Sequence, residues 1–222
     1  MPAFHPGFEA LPAEIPVFPL PGALLLPEGR LPLNIFEPRY LAMVTDALGA
    51  GRMFGMIQPL PDAPPGPTGP ALCPVGCLGR ISSFAETEDG RFLITLTGVI
   101  RYTLAGELAM RRGYRRVRAD YAPWRADLDI EGRPPPPVDR AALLEALRAY
   151  FRARGIDANW EAIERTADAM LVTTLSMVCP FDPREKQALL EAPDACARAR
   201  MLIALLRIGA HGPASAPRGR PI

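Results

Sequence analysis

The chain has 222 residues, is 49% hydrophobic and carries a formal charge of +1, so it can form one large or two small domains and has no global field favouring nucleic acid or an anionic membrane. Size scaling gives roughly 35,000 Å² of unfolded surface and about 10,000 Å² when folded, which allows a core without disulfide or metal. Of the 25 basic residues only Lys186 is a lysine, a bias of composition rather than chemistry.

The opening MPAFHPGFEA lacks the basic start and apolar run of a secretory signal. The longest uncharged stretch of the later chain, 169–181, is shorter than the ~20 apolar residues of a membrane span. A soluble cytoplasmic protein is expected, with reduced thiols at Cys73, Cys77, Cys179 and Cys196.

The first half reads as β. Apolar pieces at 15–20, 24–26 and 30–33 are cut by Pro16, Pro19, Pro21, Pro27 and Pro32, which suits strand ends and edges because proline cannot donate to a ladder. A helix from Pro38 follows, with Tyr40, Val44 and Ala47 on its apolar stripe and Gly49 or Gly51 at its end. Glu37 lies beside the positive end of the helix dipole, and Phe36 is expected to staple onto Tyr40 or Leu41. Phe36, Glu37, Pro38, Arg39 and Tyr40 thus form a structural junction with nothing left over for catalysis. Further strands are expected at 53–58, 75–86, 92–104 and 114–121, with AETEDG as a hairpin turn. Between the first two of these, 59–74 holds seven prolines and reads as a long irregular excursion, mobile or functional. Several short strands with little helix between them suggest a closed or nearly closed barrel.

The second half reads as α. Leu143, Leu147, Tyr150 and Phe151 fall at helical spacing within 139–154, with Gly155 as the stop. A single helix is expected over 160–178, another from the capping box Asp182-Pro183-Arg184-Glu185, and a last one over 193–207. The expected organisation is 1–125 barrel with one inserted helix, 126–137 proline-rich linker, 138–208 helical bundle and 209–222 disordered tail.

Chemistry finds little footing. A phosphate loop would need GxxxxGK[ST], but Lys186 lies in PREKQALL and is expected to be a solvated helix residue. His5 and His211 fall in the tails and offer no placed base. Cys73 and Cys77 have metal-like spacing without further ligands nearby, so small buried thiols are the expectation. No catalytic, metal or cofactor-binding residue is assigned. The run Arg111-Arg112-Gly113-Tyr114-Arg115-Arg116-Val117-Arg118 places five arginines around a tyrosine. Tyr114, Arg115, Arg116 and Arg118 are the candidate binding face, able to neutralise phosphates and stack a base. On a strand the same pattern also reads as an edge protected by charge.

The blocks IPVFPLPGALLLPEGRLPLNIFEPRYLAMV, VGCLGRISSFAETEDGRFLITLTGVIRY and PFDPREKQALLEAPDACARARMLIALL resemble the Lon substrate-binding domain family, found at the N-terminus of Lon proteases and as stand-alone bacterial proteins. The resemblance covers 13–208. It implies an α+β fold, a PUA-like β-barrel followed by a helical bundle, that recognises proteins or peptides. Full Lon proteases add ATPase and Ser-Lys protease modules, and the sequence ends before either could fit. The expected function is a non-catalytic module for unfolded or partly folded protein segments, working beside a protease or chaperone system, with no membrane partner. The favoured face is the exposed surface between barrel and bundle, bordered by the excursion. The alternatives are an RNA-binding PUA-like barrel using Arg111 to Arg118, a weaker reading, and a small-ligand pocket.

Overall fold

The computed structural model describes residues 6–62, 64–129 and 137–211, which form an α+β structure in two compact units, Met1–Arg133 and Pro134–Ile222. Most of the expected linker and tail, 130–136 and 212–222, lies outside the described residues.

The first unit is built on a six-stranded sheet. Its strands are β1 (Glu14–Pro19), β2 (Arg30–Ile35), β3 (Met53–Ile57), β6 (Val75–Glu86), β7 (Phe92–Arg111) and β8 (Tyr114–Asp120). Helix α1 (Pro38–Gly49) lies between β2 and β3, and two-residue strands β4 (Pro65–Gly66) and β5 (Gly69–Pro70) lie within the excursion. The sheet order is β2-β7-β6-β3-β1-β8, with β8 also pairing to β7. All pairs are antiparallel except β1 with β3.

The long strand β7 organises this sheet. Its first residues pair with β2 and its last with β8, while β6 runs beside it for most of its length. Register shifts at Leu104/Gly106 and Leu108/Arg111 mark the bends that let one strand serve both partners. Glycines take the tightest approaches. A Cβ on Gly76 would lie 2.5 Å from the Tyr102 hydroxyl and one on Gly55 2.6 Å from it, so the fully buried Tyr102 ring fills the space that two side chains leave empty. A Cβ on Gly98 would collide with the Leu26 carbonyl.

That last contact explains a departure from expectation. Leu24, Leu25 and Leu26 are buried but are not a strand. Instead their segment crosses β7, where Glu28 N–H donates to the Gly98 carbonyl at 2.9 Å and Gly98 N–H to Gly29 at 2.8 Å. The excursion is likewise ordered where described, since Leu60 N–H donates to Ala71 at 2.7 Å and Cys73 N–H to Gln58 at 2.9 Å. At the other end, the 3-10 turn Ala122–Leu128 docks on β7 past the expected domain end at 125. Arg101 Nε and Nη2 each reach the Asp127 carboxylate at 2.8 Å, and the guanidinium lies 4.0 Å above the Trp124 ring. A buried charge needs such a partner, because an unpaired one would cost several kcal/mol.

The second unit contains α2 (Arg140–Arg154), α3 (Trp160–Arg165), α4 (Asp168–Val178), α5 (Pro183–Glu191) and α6 (Ala195–His211). α6 packs against α2, α4 and α5. Asp139 caps α2, Gly155 ends it at φ +62°, and the Asp182/Glu185 capping box is complete. The expected single helix over 160–178 is broken at Thr166 and Ala167, which are both extended. The Arg140 guanidinium fills the break. It donates to the Glu164 carbonyl at 2.6 Å and the Thr166 carbonyl at 3.0 Å, and pairs with Asp168 at the start of α4.

Lys186 also departs from expectation. Its side chain is 7% exposed rather than solvated, and Nζ donates to the Met177 carbonyl in the last turn of α4 at 3.1 Å. Helix C-termini expose carbonyls that favour a cation, which explains the placement. Burial lowers its pKa, and the same burial pushes the neighbouring Cys179 thiol up to about 12.

Two outcomes follow for the folded chain. Gly98→Ala should destabilise it by about 3 kcal/mol, because backbone cannot yield as a side chain can. Gly7→Ala, with open space around it, should change stability by under ~0.5 kcal/mol in the same urea melts. In thiol labelling, the partly exposed Cys196 should react in the native state, whereas the buried Cys73, Cys77 and Cys179 should react only in denaturant.

Candidate functional site

The basic run begins at the end of β7, turns, and enters β8. Arg112 and Gly113 have φ of +50° and +84°, the left-handed pair of a type I′ hairpin, flanked by the Arg111–Tyr114 pairing. Each arginine meets a carboxylate. Arg112 and Arg111 share Asp46 of α1 at 2.7 and 3.4 Å. Arg116 and Arg118 share Glu14 of β1 at 2.9 and 3.8 Å. Arg115 takes Glu107 of β7 bidentately, at 2.6 and 3.1 Å.

This overturns two expectations. The run is not a protected edge, because β8 pairs with β1 on one side and β7 on the other. Nor do the four candidate residues form one open basic face. Tyr114 is 2% exposed and donates its hydroxyl to Asp46 at 2.7 Å, so its ring is not presented for stacking. Arg115 is 6% exposed, and its Nη1 donates to the Pro70 carbonyl at 2.7 Å. Arg118 is exposed and Arg116 partly so, both beside Glu14. The partners were hidden from sequence reading because Asp46 and Glu14 lie 68 and 102 residues from Tyr114 and Arg116. No local pattern signals them.

The Tyr114 hydrogen bond, followed by Arg112 and Arg111, holds the Asp46 carboxyl below its ordinary 3.8 against the opposing effect of burial. The Arg115–Pro70 bond pins the excursion beside the β7–β8 turn, and the Thr68 hydroxyl adds a 3.3 Å bond to Glu107.

Between these segments lies a cleft of about 180 Å³, walled by Pro19, Pro59, Pro70, Tyr40, Tyr114 and Arg115. Arg39 and Gly113 line it on the side of α1 and the turn, and Pro21, Thr68 and Gly69 complete the wall. The junction therefore contributes two of its residues to a surface that sequence reading treated as purely structural. Tyr40 is 6% exposed, with its ring 4.1 Å from Phe18 and the Arg39 guanidinium 4.5 Å above it. Among the described residues none hydrogen-bonds its hydroxyl, whose pKa is raised chiefly by burial. Pro38 opens α1 and Glu37 is its N-cap without a side-chain cap bond; the Glu37 carboxylate instead pairs with Arg39 at 2.8 Å. Phe36 does not staple onto the helix. It is 53% exposed, and the ring packed on Tyr40 is that of Phe18.

Among the described residues no group of three or more His, Cys, Asp or Glu could hold a metal ion, and no helix is long and apolar enough to cross a membrane. Cys73 and Cys77 are buried, with Sγ near the carbonyls of Pro59 and Leu78.

Residues 14–207 match the family model of the ATP-dependent protease La (LON) substrate-binding domain. Lon protease 2 of Sorangium cellulosum (strain So ce56) is 27% identical over 220 residues, 93% of this chain and 26% of its own. Lon protease of Desulfosudis oleivorans is 27% identical over 94 residues, 42% of this chain and 12% of its own. The chain thus spans about a quarter or less of these relatives' length. Among solved structures, the Lon N-terminal domain protein from Xanthomonas campestris aligns with a TM-score of 0.58 at 23% identity, covering 86% of this chain and 97% of that one. The N-terminal domain of Mycobacterium avium complex Lon protease gives 0.58 at 19%, covering 87% and 97%. The fold resembles these domains.

Tyr114→Phe should cost about 1 kcal/mol at neutral pH through the lost bond to Asp46. A depressed carboxyl contributes stability above its unfolded pKa and loses it as pH falls through the folded one. The wild type should therefore hold this contribution down to about its ordinary 3.8 and lose it below. In Tyr114→Phe the acid loss should start at the same pH but be smaller and complete at a higher pH, as denaturant melts across the acid range would report.

Proposed function

We propose, since the chain belongs to the Lon substrate-binding domain family, that it is a non-catalytic module recognising unfolded or partly folded protein segments. The observation that carries this reading is the match over 14–207, which takes in most of both units. The strand pairings run β7-β6-β3-β1-β8 and back to β7, which supports a closed, PUA-like barrel in the first unit. In the second, the contacts of α6 with α2, α4 and α5 support a helical bundle. A place in the bacterial cytoplasm beside a protease or chaperone system follows from the kinship with Lon proteases. The cleft under the excursion is the seat we assign to the client, because most of its surface is apolar and a few polar groups converge on it. The internal carboxylates on the basic run speak against the nucleic-acid reading.

Binding of fluorescein-labelled, reduced and carboxymethylated lactalbumin, a permanently unfolded chain, tests this. Saturable binding should change by less than about threefold, ~0.7 kcal/mol, between low and moderate salt. RNA binding through three phosphate contacts would instead give a log–log salt slope near about −2. No lactalbumin binding, together with steep RNA binding lost in Arg116→Ala/Arg118→Ala, would overturn the proposal.

A further inference from the structure

Resting on the protein-recognition reading, we infer that the cleft seats a polypeptide carboxyl terminus whose last side chain is apolar. Its volume of about 180 Å³ lies below the roughly 300–1,000 Å³ of sites for drug-sized ligands, which suits one chain end rather than a folded loop. The first sign of a ligand is the Tyr40 hydroxyl. Tyr40 is more than nine-tenths buried, lines the cleft, and its hydroxyl has no hydrogen-bond partner among the described residues. The hydroxyl is reached by solvent in the cleft, so a ligand acceptor there would take the place of water at a donor that no protein group uses.

Charge points the same way. Arg39 and Arg115 line the cleft, and Arg111 and Arg112 precede its Gly113. Against these four guanidiniums stand three carboxylates, Glu37, Glu107 and Asp46, because Arg111 and Arg112 share the last. One positive charge is left uncompensated. Arg39 binds Glu37 through Nε and Nη2, and its Nη1 makes no hydrogen bond among the described residues. Arg39 Nη1 can only donate and the Tyr40 hydroxyl can donate, so together with the surplus charge they suit an acceptor with negative charge.

Pro19, Pro21 and Pro59 have no N–H and give the cleft apolar rings, beside the small Thr68 and Gly69 of the excursion. A ligand that fits must carry a carboxylate and an apolar group close together. In a polypeptide only the last residue bears both on one carbon. An internal Asp or Glu offers the carboxylate without the apolar branch beside it.

Fluorescence anisotropy with the full chain tests this, using a labelled eight-residue peptide ending in Leu as the free acid, its C-terminal amide, and an amide with an internal Glu. The free acid should bind at least about tenfold more tightly than either amide. Tyr40→Phe and Arg39→Gln should each weaken the acid about fivefold and leave the amides unchanged, with melting curves confirming that both variants fold. Equal affinity of acid and amide overturns the inference, as does an acid preference that survives in both variants or an internal-Glu amide that binds as tightly. If lactalbumin still binds in those cases, protein recognition stands without the chain-end seat; if neither peptide nor lactalbumin binds, both fall.

Discussion

A single buried guanidinium, that of Arg115, ties together three segments of the first unit. It sits on β8, takes both oxygens of Glu107 from β7, and donates to Pro70 in the excursion. Glu107 follows the register shift at Leu104/Gly106 where β7 bends towards β8. The bend, the ion pair and the position of the excursion therefore depend on one another. Removing Glu107 would leave a buried guanidinium without its counter-charge, whereas removing Arg115 would leave a carboxylate that solvent already reaches, so the two losses are unequal. A lysine could not replace the arginine, because one planar group makes two carboxylate bonds and a carbonyl bond in different directions.

The same logic appears twice more. Arg101 fixes the 3-10 turn to β7 through Asp127, and Arg140 bridges the gap between α3 and α4. In a chain with a single lysine, arginine side chains act as connectors as well as surface charges. Their planar donors satisfy carbonyls where regular structure stops.

Much of the fold could be read because its signals are local. β6 occupies the expected 75–86, the Asp182 capping box is complete, and Gly155 ends α2 in a left-handed turn. What escaped reading depends on distant partners. Leu24 to Leu26 have the composition of a strand but cross β7 as buried coil, because Gly98 has no side chain to keep them away. The helix over 160–178 breaks because Arg140 compensates its open carbonyls from another helix. The cleft was legible only in pieces. The junction, the arginine run and the prolines each stood out, but nothing in the sequence brings Tyr40, Pro70 and Tyr114 to one wall. Phe36 and Lys186 were misplaced for opposite reasons. The first is half-exposed where a stapled ring was expected, and a helix end drew the second in.

Lys186 has a practical consequence. It is the only side-chain primary amine in these 222 residues, and it is buried against the end of α4. Acylating reagents should thus find the terminal amine alone on the native molecule. A second acyl group, counted by mass, would appear only when α5 separates from α4. The chain carries a built-in clock for local opening of its helical half, and no engineered label is needed to read it.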